Sequence, residues 1–241
     1  MKKTYVIISS ILSIVMIWYL LFVVIGEPLL MPSFHDVLIS LFHMIFSNQI
    51  VITLLSLLRL FIGFLIAAIL GIVFGFISAK NEWAEIFQRP YVTILRTIPV
   101  LSVVVILFIL IGSDIAVYVI VFLMIFPLFY QSTLNIIKNI DKSLLDVLRM
   151  NEGHLRESIK YVYYPILKEG LFVTIFQSLG LGVKVLVMAE YLMQTKHSIG
   201  QSIYVAKVNL MYADVYAWTF VLIMMTILLE MIVHHIQKKQ M

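Results

Sequence analysis

Six stretches of about twenty apolar residues govern what this chain can fold into. They cover roughly residues 5–25, 50–78, 91–111, 115–137, 166–192 and 215–236. Each is long enough to cross a hydrocarbon layer of about 30 Å as a helix. No water inside such a layer meets a free N–H or C=O, so a spanning segment must satisfy its own backbone, which a helix does. A β-barrel would show alternating segments of about ten residues, and these runs do not alternate. With 62% hydrophobic and 12% charged residues and a mean hydropathy of +1.06, an ordinary soluble domain is excluded. The expected fold is an all-α integral membrane protein of six transmembrane helices.

The charges orient it. If the N-terminus is cytoplasmic, Lys2, Lys3, Lys80, Arg89, Arg96, Lys138, Lys142, Arg149, Arg156, Lys160, Lys168, Lys238 and Lys239 all fall inside, and Lys196 and Lys207 fall outside. The positive-inside rule then predicts a multi-pass protein of a bacterial-type inner (cell) membrane with both termini cytoplasmic. This distribution accounts for the net charge of +4 without a nucleic-acid partner. With 0 cysteines there is neither a disulfide framework nor a thiolate metal site. None of the 6 histidines forms an i, i+4 pair with a third ligand nearby, so no metal or other cofactor is expected. Residues 1–27 are expected to be an uncleaved anchor helix, 28–49 an external segment, and 50–241 the transmembrane core.

Between the fourth and fifth stretches lies a charged segment, 138–165, ending in Val162-Tyr163-Tyr164-Pro165. It resembles the cytoplasmic coupling loop of ABC-importer permeases: Glu-Ala-Ala, three residues, Gly, nine residues, Ile-x-Leu-Pro. Counted from Asp146, Val162 and Pro165 fall in register. Gly153 comes one residue late, Val147-Leu148 replaces Ala-Ala, and Tyr164 replaces Leu. Other matches follow in order. Met31-Pro32-Ser33-Phe34-His35-Asp36-Val37 is similar to Leu-Pro-Ser-Pro-x-x-Val of the nitrate/sulfonate/taurine/bicarbonate branch. Leu95-Arg96-Thr97-Ile98-Pro99 is similar to its Leu-Arg-Pro-Ile-Pro-Pro, with Thr97 and Val100 at two of the proline positions. Those two replacements argue against a broken third helix. Ile199-Gly200 matches a Leu-Gly pair, and Lys184, Ala189 and Glu190 resemble Trp-Lys, four residues, Ala-Glu, with Val183 at the Trp position. From about residue 28 to 232 the chain therefore resembles a permease subunit of a type I ABC importer.

The resemblance implies a machine of several parts. A second permease subunit, in this branch a homodimer, completes the pore. Two ABC ATPase subunits dock on the coupling segment, and an extracytoplasmic substrate-binding protein delivers a small polar or anionic solute of the sulfonate, nitrate, taurine or thiamine-precursor kind. Asp146, Arg149, Glu152, Gly153, Arg156 and Pro165 are the expected coupling residues, with Gly153 supplying a turn that needs φ > 0. The chain is not itself an enzyme, because its sequence has no G-x-x-x-x-G-K-[ST] phosphate loop.

Three further features come from the residues themselves. Ala67, Gly71, Gly75 and Ala79 form a smooth stripe at four-residue spacing, where another helix, of this chain or of a second copy, can approach closely. Gly112-Ser113-Asp114 is a short turn that makes the third and fourth helices an antiparallel pair. Arg59 and Lys184 lie in the outer halves of two stretches and Glu190 near an outer end. Charges at such depth are costly, so these either line a translocation path or stabilise packing. Glu190 is six residues from Lys184 and off its face. An ion-gradient-driven secondary transporter, an intramembrane enzyme and an assembly factor are the competing readings. They would call for acidic relays or a polar catalytic cluster at mid-membrane depth.

Overall fold

A computed structural model of the chain describes residues 2–47, 49–141, 143 and 158–240. Among these it is all-α. The helices are α1 Lys2–Ile25, α2 Phe34–Phe46, α3 Gln49–Lys80, α4 Glu82–Thr97, α5 Val100–Lys138, α6 Tyr164–Met193, α7 Ile199–Val208 and α8 Tyr212–Gln240. Five runs, in α1, α3, α5, α6 and α8, are long and apolar enough to cross a membrane. The protein is a multi-pass membrane protein.

α5 is two arms. Gly112 takes φ 73, ψ 171, a region only glycine enters cheaply. An unbroken helix would carry Tyr130 about 50 Å from Arg96, yet the two side chains line one cavity. The chain therefore turns back at Gly112, and counting the arms separately gives six apolar stretches.

The third stretch departs from expectation. It is not one helix over 91–111. α4 ends at Thr97, and Ile98 (φ −66, ψ 132) and Pro99 (φ −64, ψ 123) are extended. Pro99 alone is enough to break it: its ring disfavours the α region for the preceding residue, and it offers no N–H to continue the ladder. The arm 100–111 that remains spans about 18 Å, less than a hydrocarbon core.

The second arm of α5 is the centre of the bundle. Val117, Ile120, Val121, Ile125 and Phe129 are fully buried, between α3 and α6. α3 and this arm run parallel: Gly63 faces Val121, Gly71 faces Phe129 and Gly75 faces Tyr130 and Thr133. A Cβ built on Gly71 would lie 2.6 Å from the Phe129 Cβ, and one on Gly75 2.6 Å from the Tyr130 carbonyl oxygen. Ala67 is fully buried on the same face. The small-residue stripe is thus filled from within the chain. Tyr130 crosses this seam to donate to the Ser78 hydroxyl at 2.9 Å.

At the end carrying Lys80, Arg89 and Lys138, the chain enters α6 through a π-helical turn, Ile159–Tyr163. Pro165, in the first turn of α6, lacks an N–H and would clash with an α-helical turn before it; the wider π-turn relieves both problems. Tyr163 is buried there, edge-on to Phe76 at 5.4 Å and bonded to the Lys80 ammonium. Lys138 pairs with Glu85 across α5 and α4. At the opposite end, α2 starts on Ser33, whose hydroxyl accepts from the Asp36 N–H at 3.2 Å and donates to the Asp36 carboxylate at 2.6 Å. The described side chains of α1 are almost all exposed. Trp18 is its contact with α8, lying 5.1 Å from the Tyr216 ring and 5.9 Å from the Phe220 ring.

Candidate functional site

Among the described residues, two places in the bundle that hold charge within apolar surroundings are built differently. The first is at the end of α6. α3 and α6 meet where Gly182 lies against Leu60, and Ser56 and Glu190 face each other toward the Lys196 end. Glu190 is fully buried. Its carboxylate accepts from the Ser56 hydroxyl at 2.9 and 3.0 Å, from Arg59 Nη1 at 3.3 Å and from the Gly200 N–H at 3.2 Å. Arg59 extends further, donating to the carbonyl oxygens of His197 at 3.1 Å and Lys196 at 3.0 Å. Ser56 in turn accepts from the Ile199 N–H at 3.0 Å.

The loop 194–198 is shaped to meet these groups. Gln194 (φ 49) closes α6 in the left-handed conformation, and His197 (φ 51) repeats it three residues on. Ser198 then caps α7, accepting from the Gln201 N–H at 3.0 Å. The free N–H groups of the first turn of α7, with the positive end of its dipole, point at a buried anion. Gly200 has to be glycine, since a Cβ there would stand 2.3 Å from the Tyr191 backbone nitrogen. The Glu190 carboxylate, the Ser56 hydroxyl and the first N–H groups of α7 are all bonded to one another or to Arg59, which suits the knot to locking the loop onto α3; the buried Thr195 hydroxyl in the same loop has no partner among the described residues.

The second place is a groove between α6 and α8 with a volume of about 450 Å³. Its walls are apolar apart from Thr219, Thr226, Lys184 and Glu230. Lys184 is exposed to it. Although both line the groove, Lys184 and Glu230 form no ion pair among the described residues. The sequence grouped Arg59, Lys184 and Glu190. The structure brings Arg59 and Glu190 together and leaves Lys184 apart from them. Of the coupling residues, Pro165 lies at the start of α6; Asp146, Arg149, Glu152, Gly153 and Arg156 lie outside the described residues.

Residues 71–240 match the family described as binding-protein-dependent transport system inner membrane component. The chain belongs to this family. A Bacillus subtilis (strain 168) protein that carries the name of an aliphatic sulfonates transport permease, SsuC, is 30% identical over 150 residues, 62% of this chain and 54% of that relative. The chain thus covers about half the length of the curated relative it matches. The family match takes in the groove, the knot's Glu190 and Gly200, and the charged segment.

For a transport-system membrane component, sequence reasoning missed Ser56 and the Ser198 cap, and reached Gly200 only as half of a matching Leu-Gly pair, without its contact to Glu190. Opposite charges at similar depth in two spans were a usable signal for the Arg59–Glu190 pair, because a buried charge needs a partner. What the sequence lacks is the register between α3 and α6 that brings residues 131 apart into contact.

Proposed function

We propose that the chain is the transmembrane permease subunit of an ATP-driven ABC importer for a small polar or anionic solute, of which organic sulfonates are one class. The family match over residues 71–240 carries the reading, and the name of the B. subtilis relative points to the solute class. The subunit works as a homodimer. Two separate ATPase subunits grip the segment 138–165 from the cytoplasm through Asp146, Arg149, Glu152, Gly153 and Arg156, with Pro165 and the π-turn joining that handle to α6. An extracytoplasmic binding protein docks at the opposite end. The basic residues at one end of the bundle favour this orientation, with both termini in the cytoplasm of a cell with a bacterial-type inner membrane.

In this reading Lys184 lines the translocation path and draws an anion into the groove. Arg59 and Glu190 shape the outer closure of the path by fixing the loop above it. The test is reconstitution. The chain, co-expressed with its ATPase and binding protein, is expected to co-purify as one complex and to hydrolyse ATP faster when liganded binding protein is added. Gly153→Val is expected to keep hydrolysis but lose uptake. A chain that purifies without an ATPase, and takes up solute on an ion gradient alone, would overturn the reading.

A further inference from the structure

Between α4 and the second arm of α5, at the end carrying Lys80 and Lys138, lies a polar cavity of about 210 Å³. Arg89, Thr93 and Arg96 of α4 face it from positions i, i+4 and i+7, which share one helical face. Gln131 faces them from α5, over a floor of Val92, Tyr130 and Leu134, all buried. Glu85 is also in the wall, but Lys138 neutralises it. Among the described residues neither guanidinium has a carboxylate partner. The cavity is therefore a positive pocket with two forked donors, which match the oxygens of a phosphate better than a point charge does.

The rest of α4 fixes its depth. Trp83, Phe87, Tyr91 and Ile94 recur at three- and four-residue spacing on another face and are exposed, Trp83 by 80%. A helix with an aromatic and aliphatic face outward and a cationic face inward lies at the boundary of headgroup and acyl chain. That places Arg89 and Arg96 at the level of lipid phosphates. We propose that this cavity seats the phosphate of an anionic lipid headgroup, held by Arg89 and Arg96 with Gln131 and Thr93 completing the polar wall.

The experiment uses the purified full chain in neutral detergent. Native mass spectrometry reads the occupancy of phosphatidylglycerol against phosphatidylcholine, with inorganic phosphate in a parallel arm. The wild type is expected to retain phosphatidylglycerol preferentially. In R89Q/R96Q the preference is expected to fall roughly tenfold or more, as two surface cations are removed. Q131E, which keeps both arginines but sets a carboxylate opposite them, should lower it too, and R89K/R96K should retain part of it. K238Q/K239Q, with the same charge change at the end of α8, should leave it intact. Melting curves confirm that the variants being compared are folded. The proposal is overturned if R89Q/R96Q keeps the preference or K238Q/K239Q loses it equally. Inorganic phosphate binding as tightly as the lipid overturns the lipid source, and displacement of bound lipid by a purified ATPase subunit reassigns the arginines to a protein partner.

Discussion

The knot around Glu190 and the groove around Lys184 both place ionic groups in the apolar body of the bundle, yet they differ in what those groups have left to do. In the knot, Glu190 has three donors and Arg59 has three acceptors, and the carboxylate is sealed from solvent. In the groove, Lys184 lines open space with no ion-pair partner among the described residues. A buried charge with all its bonds made is committed to holding structure, because any change leaves a partner unpaired in low dielectric. A charge that faces a cavity keeps its field available to whatever enters. The comparison therefore assigns stability to one site and solute handling to the other, and substitutions should separate the two.

The largest effect is expected from Glu190→Ala. It strips the counter-charge from Arg59, whose side chain is only 14% exposed, and orphans Ser56 and the Gly200 N–H. The loss should be about 3–5 kcal/mol, read from thermal or denaturant unfolding in detergent. Replacing Arg59 and Glu190 together by Met and Leu should recover part of it, since no lone charge remains. If Glu190→Ala unfolds like the wild type, the knot holds nothing and the comparison fails. Next comes Gly200→Ala. Its Cβ would meet the Tyr191 nitrogen at 2.3 Å and the Glu190 Cβ at 2.5 Å, so α7 has to move away from the carboxylate. Overpacking of this kind costs about 1–3 kcal/mol, and hydrogen exchange should show the first turn of α7 losing protection first.

Lys184→Met sharpens the other half. Lys184 has no bonded partner among the described residues, so unfolding should be unchanged. Uptake of an anionic solute in the reconstituted complex is expected to fall on the order of tenfold, the worth of one charge-assisted contact. Normal uptake would remove Lys184 from the path, while a large drop in stability would make it a second structural charge.

The helices were legible in the sequence, because twenty apolar residues admit few alternatives in lipid. So was the stripe at Gly71 and Gly75, since spacing alone places small residues on one face. The break at Ile98–Pro99 was misread. Two of the family's three prolines are missing there, but one proline after a residue it forces out of the α region is sufficient. The separation of Lys184 from Arg59 and Glu190 was out of reach for a different reason. It depends on which face of α6 meets α3 and which meets α8, and α6 is apolar almost all round, so its pattern does not distinguish them.

The smallest effect tests whether bonding alone, without burial, makes a carboxylate structural. Asp141 follows α5 and accepts from the Ser143 N–H at 3.0 Å, but it is fully exposed. The backbone hydrogen bond from Ser143 holds its pKa below the ordinary aspartate value, with the Ser143 side chain adding to this. Because the folded-state value is the lower one, its contribution to stability is present above the unfolded value and is lost as pH falls through the folded one. Asp141→Asn should therefore melt only slightly below the wild type at neutral pH, since an amide oxygen can still accept that bond. The gap should close as pH falls through the folded-state value. A gap as large as that of Glu190→Ala, or one that widens in acid, would show that donors alone anchor a carboxylate here. A small, closing gap would leave burial as the property that separates Glu190 from Asp141.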